Sequence, residues 1–428
     1  MKILNRNIAP EFKLIDELNI IHPTKIEFPN RIPVYIFNSG SEDLLKIELV
    51  FNAGTCFQKK SLVASACNSM LTEGTKKRSS KQVSEDIDYY GAYLSTDIDK
   101  DFASINLYSL KKYLPQTLEI LDDIIKNPIF DENELKVYLE NNKQSFQINS
   151  NKVSYVARMK FNEALFGKNH PYGKNAELAD FEKVTKDDIN SFYKAKYNSN
   201  NCLIIISGKA SEKDLALIND YFGKSSWGGK FKKQTIDYSI TTNSKKRITY
   251  PKTDALQAAI RIGKVMMNRN HEDYLKLQVL VTLFGGYFGS RLMKNIREDK
   301  GYTYGIGAGL VSHKNVGYMY IGSEVGVDVC EKAIDEVYYE MNRLKTDIVD
   351  QAELDLVKNY LLGVLLKSFD GVFQTSEKYK TIILNELEYN YYERFVDIIK
   401  KITPEDINIM ANKYFTQDEM VEIVAGNI

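Results

Sequence analysis

The sequence has few of the residues that would build a disulfide framework or a metal site. Its 428 residues include four cysteines and four histidines. The cysteines form no C-x-x-C pair, so we expect reduced thiols, as in a cytoplasmic protein. The histidines lie far apart without metal-ligand spacing, and each is interpreted as an ordinary surface or turn residue. These residues are Cys56, Cys67, Cys202 and Cys330, and His22, His170, His271 and His313.

Net charge and long apolar runs are also missing. Lys plus Arg total 57 and Asp plus Glu total 57, which leaves no net positive charge to drive binding to nucleic acid or to an anionic membrane. Apolar runs such as residues 203–206 are too short to cross a bilayer. Residues 1–20 resemble neither a secretory signal nor a transit peptide. We therefore expect a cytoplasmic protein without a nucleic-acid or membrane partner.

The residues that are present predict a large globular chain that begins with a sheet. Hydrophobic residues make up 43% of the sequence and charged residues 27%, which is enough for a sizeable core and for more than one domain. Residues 25–28, 33–37 and 45–53 have the pattern of strands. In the third run, apolar residues alternate with Lys46 and Glu48, which predicts a half-buried antiparallel strand. Residues 61–73 then predict a helix of small residues.

An internal repeat divides the chain. The segment VTKDDIN from Val184 matches ITPEDIN from Ile402, and 402 − 184 is 218. A second helix start, at Asp131, matches the one at Asp350, and 350 − 131 is 219. Two unrelated helix starts in nearly one register indicate an ancient duplication. The predicted fold class is therefore α+β, with two domains, each an antiparallel-rich sheet covered by helices.

The domain boundaries follow from composition. Residues 222–246 are rich in Gly, Ser, Thr and Lys, which is typical of a surface linker. We predict an N-terminal domain over residues 1–221 and a C-terminal domain over residues 247–428. Trp227, the only tryptophan, is interpreted as an anchor that holds the linker on a domain surface. Two such domains could face each other across a cavity that takes a large substrate.

The most informative stretch covers residues 285–305, with the sequence GGYFGSRLMKNIREDKGYTYG. Ser290 is a suitable N-cap for a short helix that Lys300 and Gly301 would end, and a strand follows. Arg297 then lies near the helix end and Tyr304 on the adjoining strand. Taken alone, Arg297 could complement the helix dipole and Tyr304 could pack in the sheet. Alternatively, the two form a donor pair for a peptide carbonyl, a carboxylate or a developing oxyanion.

The order of elements, the duplication and this stretch together resemble the pitrilysin family of inverted-motif zinc peptidases, which is related to insulin-degrading enzymes and mitochondrial processing peptidases. That family has an Arg seven residues before a Tyr in its second domain, as Arg297 and Tyr304 are here, and it shares the SRL motif at residues 290–292. The resemblance implies that the chain forms one half of a clamshell. It also implies that Arg297 and Tyr304 bind the substrate backbone near the scissile bond.

The zinc motif of that family is absent. Active members carry H-x-x-E-H on the helix before a Gly-Thr step, and a downstream Glu completes the site. Counting back from that step, the chain has SACNS at residues 65–69. Hydroxyls and an amide do not replace imidazoles and carboxylates as zinc ligands, so we expect no metal here. Cys67 is interpreted as a small apolar helix residue, not as a nucleophile. The degenerate ligand and base positions are Ser65, Asn68, Ser69 and Ser145.

These observations lead to two functional expectations. The first is a non-catalytic, substrate-binding subunit of a heteromeric zinc metalloendopeptidase that acts on peptides or unfolded proteins. Its zinc would be held by a partner with an intact H-x-x-E-H motif, and the chain alone would be inactive. The second is a proteolytically inactive scaffold or peptide-binding protein of the same fold. An autonomous metallopeptidase is excluded by the missing ligands.

Overall fold

The computed structural model describes residues 20–229, 234, 236–240 and 246–428. The predicted α+β class is confirmed, since two mixed sheets are covered by helices. The prediction of no leader in residues 1–20 concerns a segment of which residues 1–19 lie outside the described residues, and the middle of the predicted linker lies outside them as well. Trp227 is described, and its indole Nε1 donates to the carbonyl of Phe222 at 3.0 Å. No helix in the described ranges is both long enough and apolar enough to cross a membrane.

The first sheet has six strands in the order β1-β2-β6-β3-β5-β4. The β2–β6 pair is parallel and the other pairs are antiparallel. Its strands are β1 Thr24–Glu27, β2 Pro33–Asn38, β3 Leu44–Phe51, β4 Tyr93–Ile98, β5 Ala103–Leu110 and β6 Cys202–Gly208. The helices in this half are α1 Val63–Met70, α2 Ser80–Tyr89, α3 Leu114–Lys126, α4 Glu132–Ser150, α5 Val153–Phe166, α6 Lys186–Lys196 and α7 Glu212–Phe222.

The second sheet has five strands in the order β7-β11-β8-β10-β9, with one parallel pair, β11–β7. Its strands are β7 Arg247–Pro251, β8 Gln257–Met266, β9 Thr303–Ser312, β10 Gly317–Gly326 and β11 Val421–Gly426. The helices in this half are α8 Tyr274–Val281, α9 Cys330–Thr346, α10 Gln351–Lys367, α11 Val372–Leu384, α12 Tyr391–Lys401 and α13 Pro404–Tyr414. Two π-helical segments, π1 Thr282–Gly286 and π2 Met293–Asp299, connect α8 to β9.

The duplication is visible in the helix caps. Thr185 caps α6 and forms a capping box with Asp188. Thr403 caps α13 and forms the same box with Asp406. In each box the threonine hydroxyl accepts from a backbone N–H while the aspartate accepts from the threonine N–H, which satisfies two free donors at the helix start. The matching sequence segments therefore fold into matching structures.

The two halves exchange one helix each. Helix α5 packs on β8 and β11 of the second sheet, where Phe161 lies 6.1 Å from the ring of Tyr318. Helix α11 packs on β2 and β6 of the first sheet, where Tyr379 lies 5.4 Å from the ring of Phe37. The two helices are equivalent in the repeat, since their starts at Val153 and Val372 differ by 372 − 153, which is 219. Each sheet is thus covered on one face by the other half.

This exchange corrects the prediction for the third strand. Lys46 and Glu48 are buried, at 2% and 1% exposure, so β3 is covered on both faces and is not half-buried. The covering groups come from α11. Lys46 Nζ lies 3.1 Å from Glu48 and is also bonded to Glu377, while Lys380 Nζ contacts Glu48 at 2.7 Å. Two lysines and two glutamates therefore neutralise one another where the halves meet.

Candidate functional site

The stretch at residues 285–305 folds into a tight corner of the second half. Gly285 lies at the end of π1, where it contacts the edge strand β9. A Cβ added at Gly285 would lie 2.7 Å from the Cβ of Ala308. Any side chain there would collide with the sheet, so glycine allows the helical segment to approach β9 closely. This contact fixes the position of the segment that follows.

The next turn places the two predicted site residues. The helical segment that begins after Ser290 is π-helical from Met293 to Asp299, which sequence periodicity did not indicate. Gly301 has φ of +67°, and Tyr302 N donates to Ile296 O at 3.0 Å, which ends the helix. Ser290 precedes the helical segment, as predicted for an N-cap, but its hydroxyl is buried without a partner among the described residues and forms no capping bond. Its carbonyl instead accepts from Lys294 N at 3.0 Å.

Tyr304 is the second residue of β9 and is 93% exposed. Within the described residues its hydroxyl has no hydrogen-bond partner. The strand beneath it is held by Thr303, whose hydroxyl donates to Glu324 O at 2.8 Å and accepts from Gly305 N at 3.0 Å. Tyr304 also lines a cavity of about 370 Å³ together with Arg261. A phenol on a fixed strand is therefore free to donate to a ligand.

Arg297 lies on π2 with its side chain one-third exposed. Its guanidinium lies 4.6 Å from the ring centroid of Phe288, which is itself 64% exposed. Within the described structure, the one carboxylate that lies within 4.0 Å of it is that of Glu298. Arg297 is not part of the wall of the cavity that Tyr304 lines. The structure leaves both donors open to solvent on neighbouring elements.

The helix in the family's zinc position is α1. Ser65 and Ser69 are half-buried, and the Ser65 hydroxyl donates to Leu62 O at 3.3 Å within the same helix. Asn68, in the position of the catalytic glutamate, is 1% exposed. Its amide donates to Asp97 O at 2.9 Å and its oxygen accepts from Tyr197 Oη at 2.9 Å. Asn68 therefore links α1 to the sheet and to α6.

These residues do not fit a zinc ion. Ser145, the predicted third position, lies on α4 and is exposed. Across the described ranges, no group of three His, Cys, Asp or Glu residues could hold a metal. Cys67 is fully buried, and burial raises the pKa of its thiol well above the ordinary value of 9.0. A thiol that stays protonated is not a nucleophile.

We expect Asn68→Ala to destabilise the chain, although the resemblance places Asn68 where active relatives have a catalytic glutamate. The substitution leaves the buried phenol of Tyr197 and the partly buried carbonyl of Asp97 without these partners, and an orphaned buried group costs about 1–3 kcal/mol. The free energy of unfolding, measured by denaturant titration, should therefore fall by about 2–4 kcal/mol. Ser65→Ala on the same helix is the matched control and should change it by about 0.5 kcal/mol or less. Equal effects for the two variants would contradict this assignment.

Two of the histidines are not isolated in the fold. His170 and His313 both contact Tyr172, with ring centroids 5.5 and 4.3 Å away. His170 Nδ1 accepts from Tyr172 N at 3.0 Å and its Nε2 lies 3.2 Å from Tyr238 O, so both ring nitrogens are occupied. Burial lowers the pKa of His313 to about 4. Both histidines lie in turns, as the sequence predicted, but they are not isolated from each other, since His170 is buried and the half-buried His313 packs on the same tyrosine ring.

The fold and the site define a class: a duplicated α+β chain with no zinc-ligand set on α1 and with a partly exposed Arg297 and an exposed Tyr304 in its second half. Models of known protein families match two successive regions of the chain and identify its family. Residues 34–175 match the one described as insulinase, peptidase family M16, and residues 183–361 match the one described as the peptidase M16 inactive domain. The chain belongs to peptidase family M16, which confirms the resemblance found in the sequence.

Individual relatives agree with this membership. The chain is 23% identical over 372 residues to the uncharacterized zinc protease YmxG of Bacillus subtilis, covering 84% of this chain and 87% of the relative. It is also 23% identical over 393 residues to the non-peptidase homolog YmxG of Helicobacter pylori, covering 89% and 88%. The crystal structure of a peptidase M16 inactive domain from Pseudomonas fluorescens superposes with a TM-score of 0.86 at 21% identity, covering 96% and 99%.

Proposed function

We propose that this chain is a non-catalytic, substrate-binding subunit of a heteromeric zinc metalloendopeptidase that acts on peptides or unfolded proteins. The partner is a homologue with an intact H-x-x-E-H helix, and zinc is bound there. Arg297 and Tyr304 of this chain complete the partner's site. The observation that carries the proposal is Tyr304, a tyrosine that is 93% exposed on an edge strand. An aromatic ring that is exposed to water is unfavourable. A bound ligand that covers the ring of Tyr304 would remove this cost and would explain why the ring lies on the surface.

The chemistry of the two donors suits a peptide carbonyl. A guanidinium and a phenol both donate hydrogen bonds to oxygen, and such bonds strengthen as the oxygen gains negative charge. In the assembled site, Arg297 and Tyr304 would orient the scissile carbonyl while the partner's metal site supplies an activated water. Their role is then electrostatic stabilisation and positioning, without bond making by this chain.

The sheets offer a way to hold the rest of the peptide. Strands β4 and β9 are edge strands, each paired on one side only within the described structure. An open edge presents free N–H and C=O groups with which an extended peptide can pair. Such main-chain pairing is independent of sequence, which suits a subunit for unfolded substrates. Tyr93 on β4, 61% exposed, and Tyr304 on β9 give each edge an aromatic contact.

Co-expression tests the proposal. The chain is purified alone and together with an H-x-x-E-H homologue from the same genome, and bound zinc and cleavage of an unstructured peptide are measured. We expect no stoichiometric zinc and no cleavage from the chain alone, and cleavage that exceeds the partner's own activity in the complex. Stoichiometric zinc in the single chain, or a complex no more active than the partner alone, would overturn the proposal.

A second candidate is a proteolytically inactive scaffold or peptide-binding protein. The relative from Helicobacter pylori, described as a non-peptidase homolog, favours it. This candidate predicts a stable complex, or a bound peptide, with no change in cleavage in any combination with the partner. The same co-expression experiment therefore separates the two functions.

A further inference from the structure

A second cationic group shares the cavity that Tyr304 lines. The cavity of about 370 Å³ lies over one end of the second sheet, between β8, β9, β10 and the start of α5. Arg261 projects from β8 into this space. It is the one basic residue in the cavity wall, which otherwise consists of small or polar residues and one carboxylate. The wall is formed by Ser154, Gln257, Ala259, Arg261, Thr303, Tyr304, Gly305, Gly322, Ser323 and Glu324.

The position of Arg261 depends on a glycine. Arg261 on β8 is directly opposite Gly322 on β10. A Cβ added at Gly322 would lie 2.4 Å from Arg261 Nη1, so the guanidinium lies over the glycine. Its carbon lies 5.4 Å from the ring centroid of Tyr320, which also holds it on the sheet. Since β9 is the next strand beyond β10, the side chain extends from β8 toward the strand that carries Tyr304.

Arg261 has no anionic partner. Among the described residues it forms no ion pair and no side-chain hydrogen bond, and its contact is the ring of Tyr320. Burial lowers the pKa of its guanidinium, and the positive charge of Arg158 on α5 lowers it further. An arginine nevertheless stays charged at neutral pH. A half-buried, uncompensated guanidinium with a second cation nearby is costly in the free protein, and an anion would relieve that cost.

Glu324 partly offsets the positive charge of Arg261 in the cavity. It is the one carboxylate in the cavity wall, and it is exposed. It forms no ion pair with Arg261 and has only a weak raising effect on the pKa of that group. Within the wall, Arg261 and Glu324 have opposite charges, and Arg158 on α5, outside the wall, adds a positive charge that acts on Arg261. The unpaired guanidinium therefore favours an anion, and Glu324 reduces that preference.

We propose that Arg261, beside Tyr304, forms a subsite for a carboxylate of the bound peptide, either an acidic side chain or the C-terminal carboxylate. A carboxylate accepts two hydrogen bonds from one guanidinium, which leaves the single O–H of Tyr304 for the scissile carbonyl. The inference rests on the proposed function, because it assumes that peptides bind along this edge. It adds a preference for substrates with a carboxylate near the site, which pairing of main chains alone would not produce.

Binding to the full chain tests the subsite. Three unstructured peptides of one length are compared by fluorescence anisotropy: one with acidic side chains and an amidated C-terminus, one neutral with a free C-terminal carboxylate, and one neutral and amidated. We expect one of the two carboxylate-bearing peptides to bind about tenfold more tightly than the neutral amide. Which of them does so identifies the source of the carboxylate. The preference should weaken as salt is raised, because the subsite is partly exposed.

Variants assign the preference to Arg261. Arg261→Gln should abolish the tenfold difference while binding of the neutral amide stays unchanged, and Arg261→Lys should keep part of it. Glu324→Gln should increase it. Arg394→Gln, which removes a positive charge on the solvent-facing side of α12, is the matched control and should change nothing. Thermal unfolding followed by circular dichroism verifies that each variant is folded.

The outcomes separate this inference from the proposed function. If the three peptides bind wild-type protein equally, or if folded Arg261→Gln keeps the preference, the subsite is wrong while peptide binding stands. If the chain binds none of the peptides, the subsite and the peptide-binding role are both overturned.

Discussion

Arg297→Ala lowers the turnover of the assembled complex by about 10²–10³-fold, the range found when one donor to a developing oxyanion is removed. The expected loss is in kcat more than in KM, because the hydrogen bond strengthens only as negative charge develops on the carbonyl oxygen. Tyr304→Phe removes only a hydroxyl and should reduce turnover in the same sense. The measurement is steady-state cleavage of an unstructured peptide by the complex formed with the H-x-x-E-H partner.

Two controls make that result specific. Tyr339→Phe on α9 and Arg394→Ala on α12 change an exposed tyrosine and an exposed arginine elsewhere in the second half. Both should leave turnover unchanged. Size-exclusion chromatography must show that every variant still forms the complex. If Arg297→Ala and Tyr304→Phe form intact complexes with normal turnover, the two residues take no part in catalysis and the scaffold function is favoured.

The second large effect concerns stability at the contact between the halves. Glu48→Gln removes one of two carboxylates that neutralise the buried Lys46 and the partly buried Lys380. Breaking a buried ion pair by removing one partner costs about 3–5 kcal/mol, because the remaining charge is left in a poorly solvated site. We expect the free energy of unfolding, from urea titration, to fall by about that amount. The double variant Lys46→Met with Glu48→Leu removes both charges and should lose much less.

The same cluster predicts a pH window. Burial would raise the pKa of Glu377, but Lys380 and Lys46 outweigh it and hold the pKa below its ordinary value of 4.5. That stabilisation is present above pH 4.5 and is lost as pH falls through the lowered pKa. Burial lowers the pKa of Lys46, but Glu48 and Glu377 outweigh it and raise the pKa above 10.5. The stabilisation from charged Lys46 is present below pH 10.5 and is lost as pH rises through the raised pKa.

Stability curves of wild type and Glu377→Gln across pH check this window. Their difference should be largest between the two limits and should shrink outside them. Asp418→Asn, at the exposed pair of Lys246 and Asp418, is the control and should show no measurable change. A difference that stays constant down to strongly acidic pH would contradict the assignment to charge.

Local signals explain what the sequence predicted well. The capping threonines Thr185 and Thr403 and the aspartates three residues later act on their own helix starts, so the repeat could be found without the fold. The same holds for Gly301, whose positive φ ends π2. Because Arg297 and Tyr304 flank this turn, their placement on neighbouring elements followed from spacing.

Features that depend on distant parts of the chain could not be predicted. Lys46 and Glu48 look solvent-exposed in an alternating strand, and only α11, more than 300 residues later, covers them. Arg261 gave no signal because one charge in an apolar strand is typical of an exposed face. Its significance depends on the facing Gly322 and on the nearby Tyr304, which lie far along the chain. Short-range periodicity contains no information about such partners.

The helix exchange has a consequence for synthesis of the chain on the ribosome. Helix α5 ends at Phe166, and the sheet it covers begins at Arg247, so at least 81 further residues, 247 − 166, must emerge before its apolar face can be shielded. The first sheet in turn waits for α11. The nascent first half therefore exposes apolar surface until the second half has been synthesised. Chaperones bind incompletely folded chains of this kind. The complete chain should unfold as one cooperative unit, because unfolding of either half would expose the sheet of the other half to water.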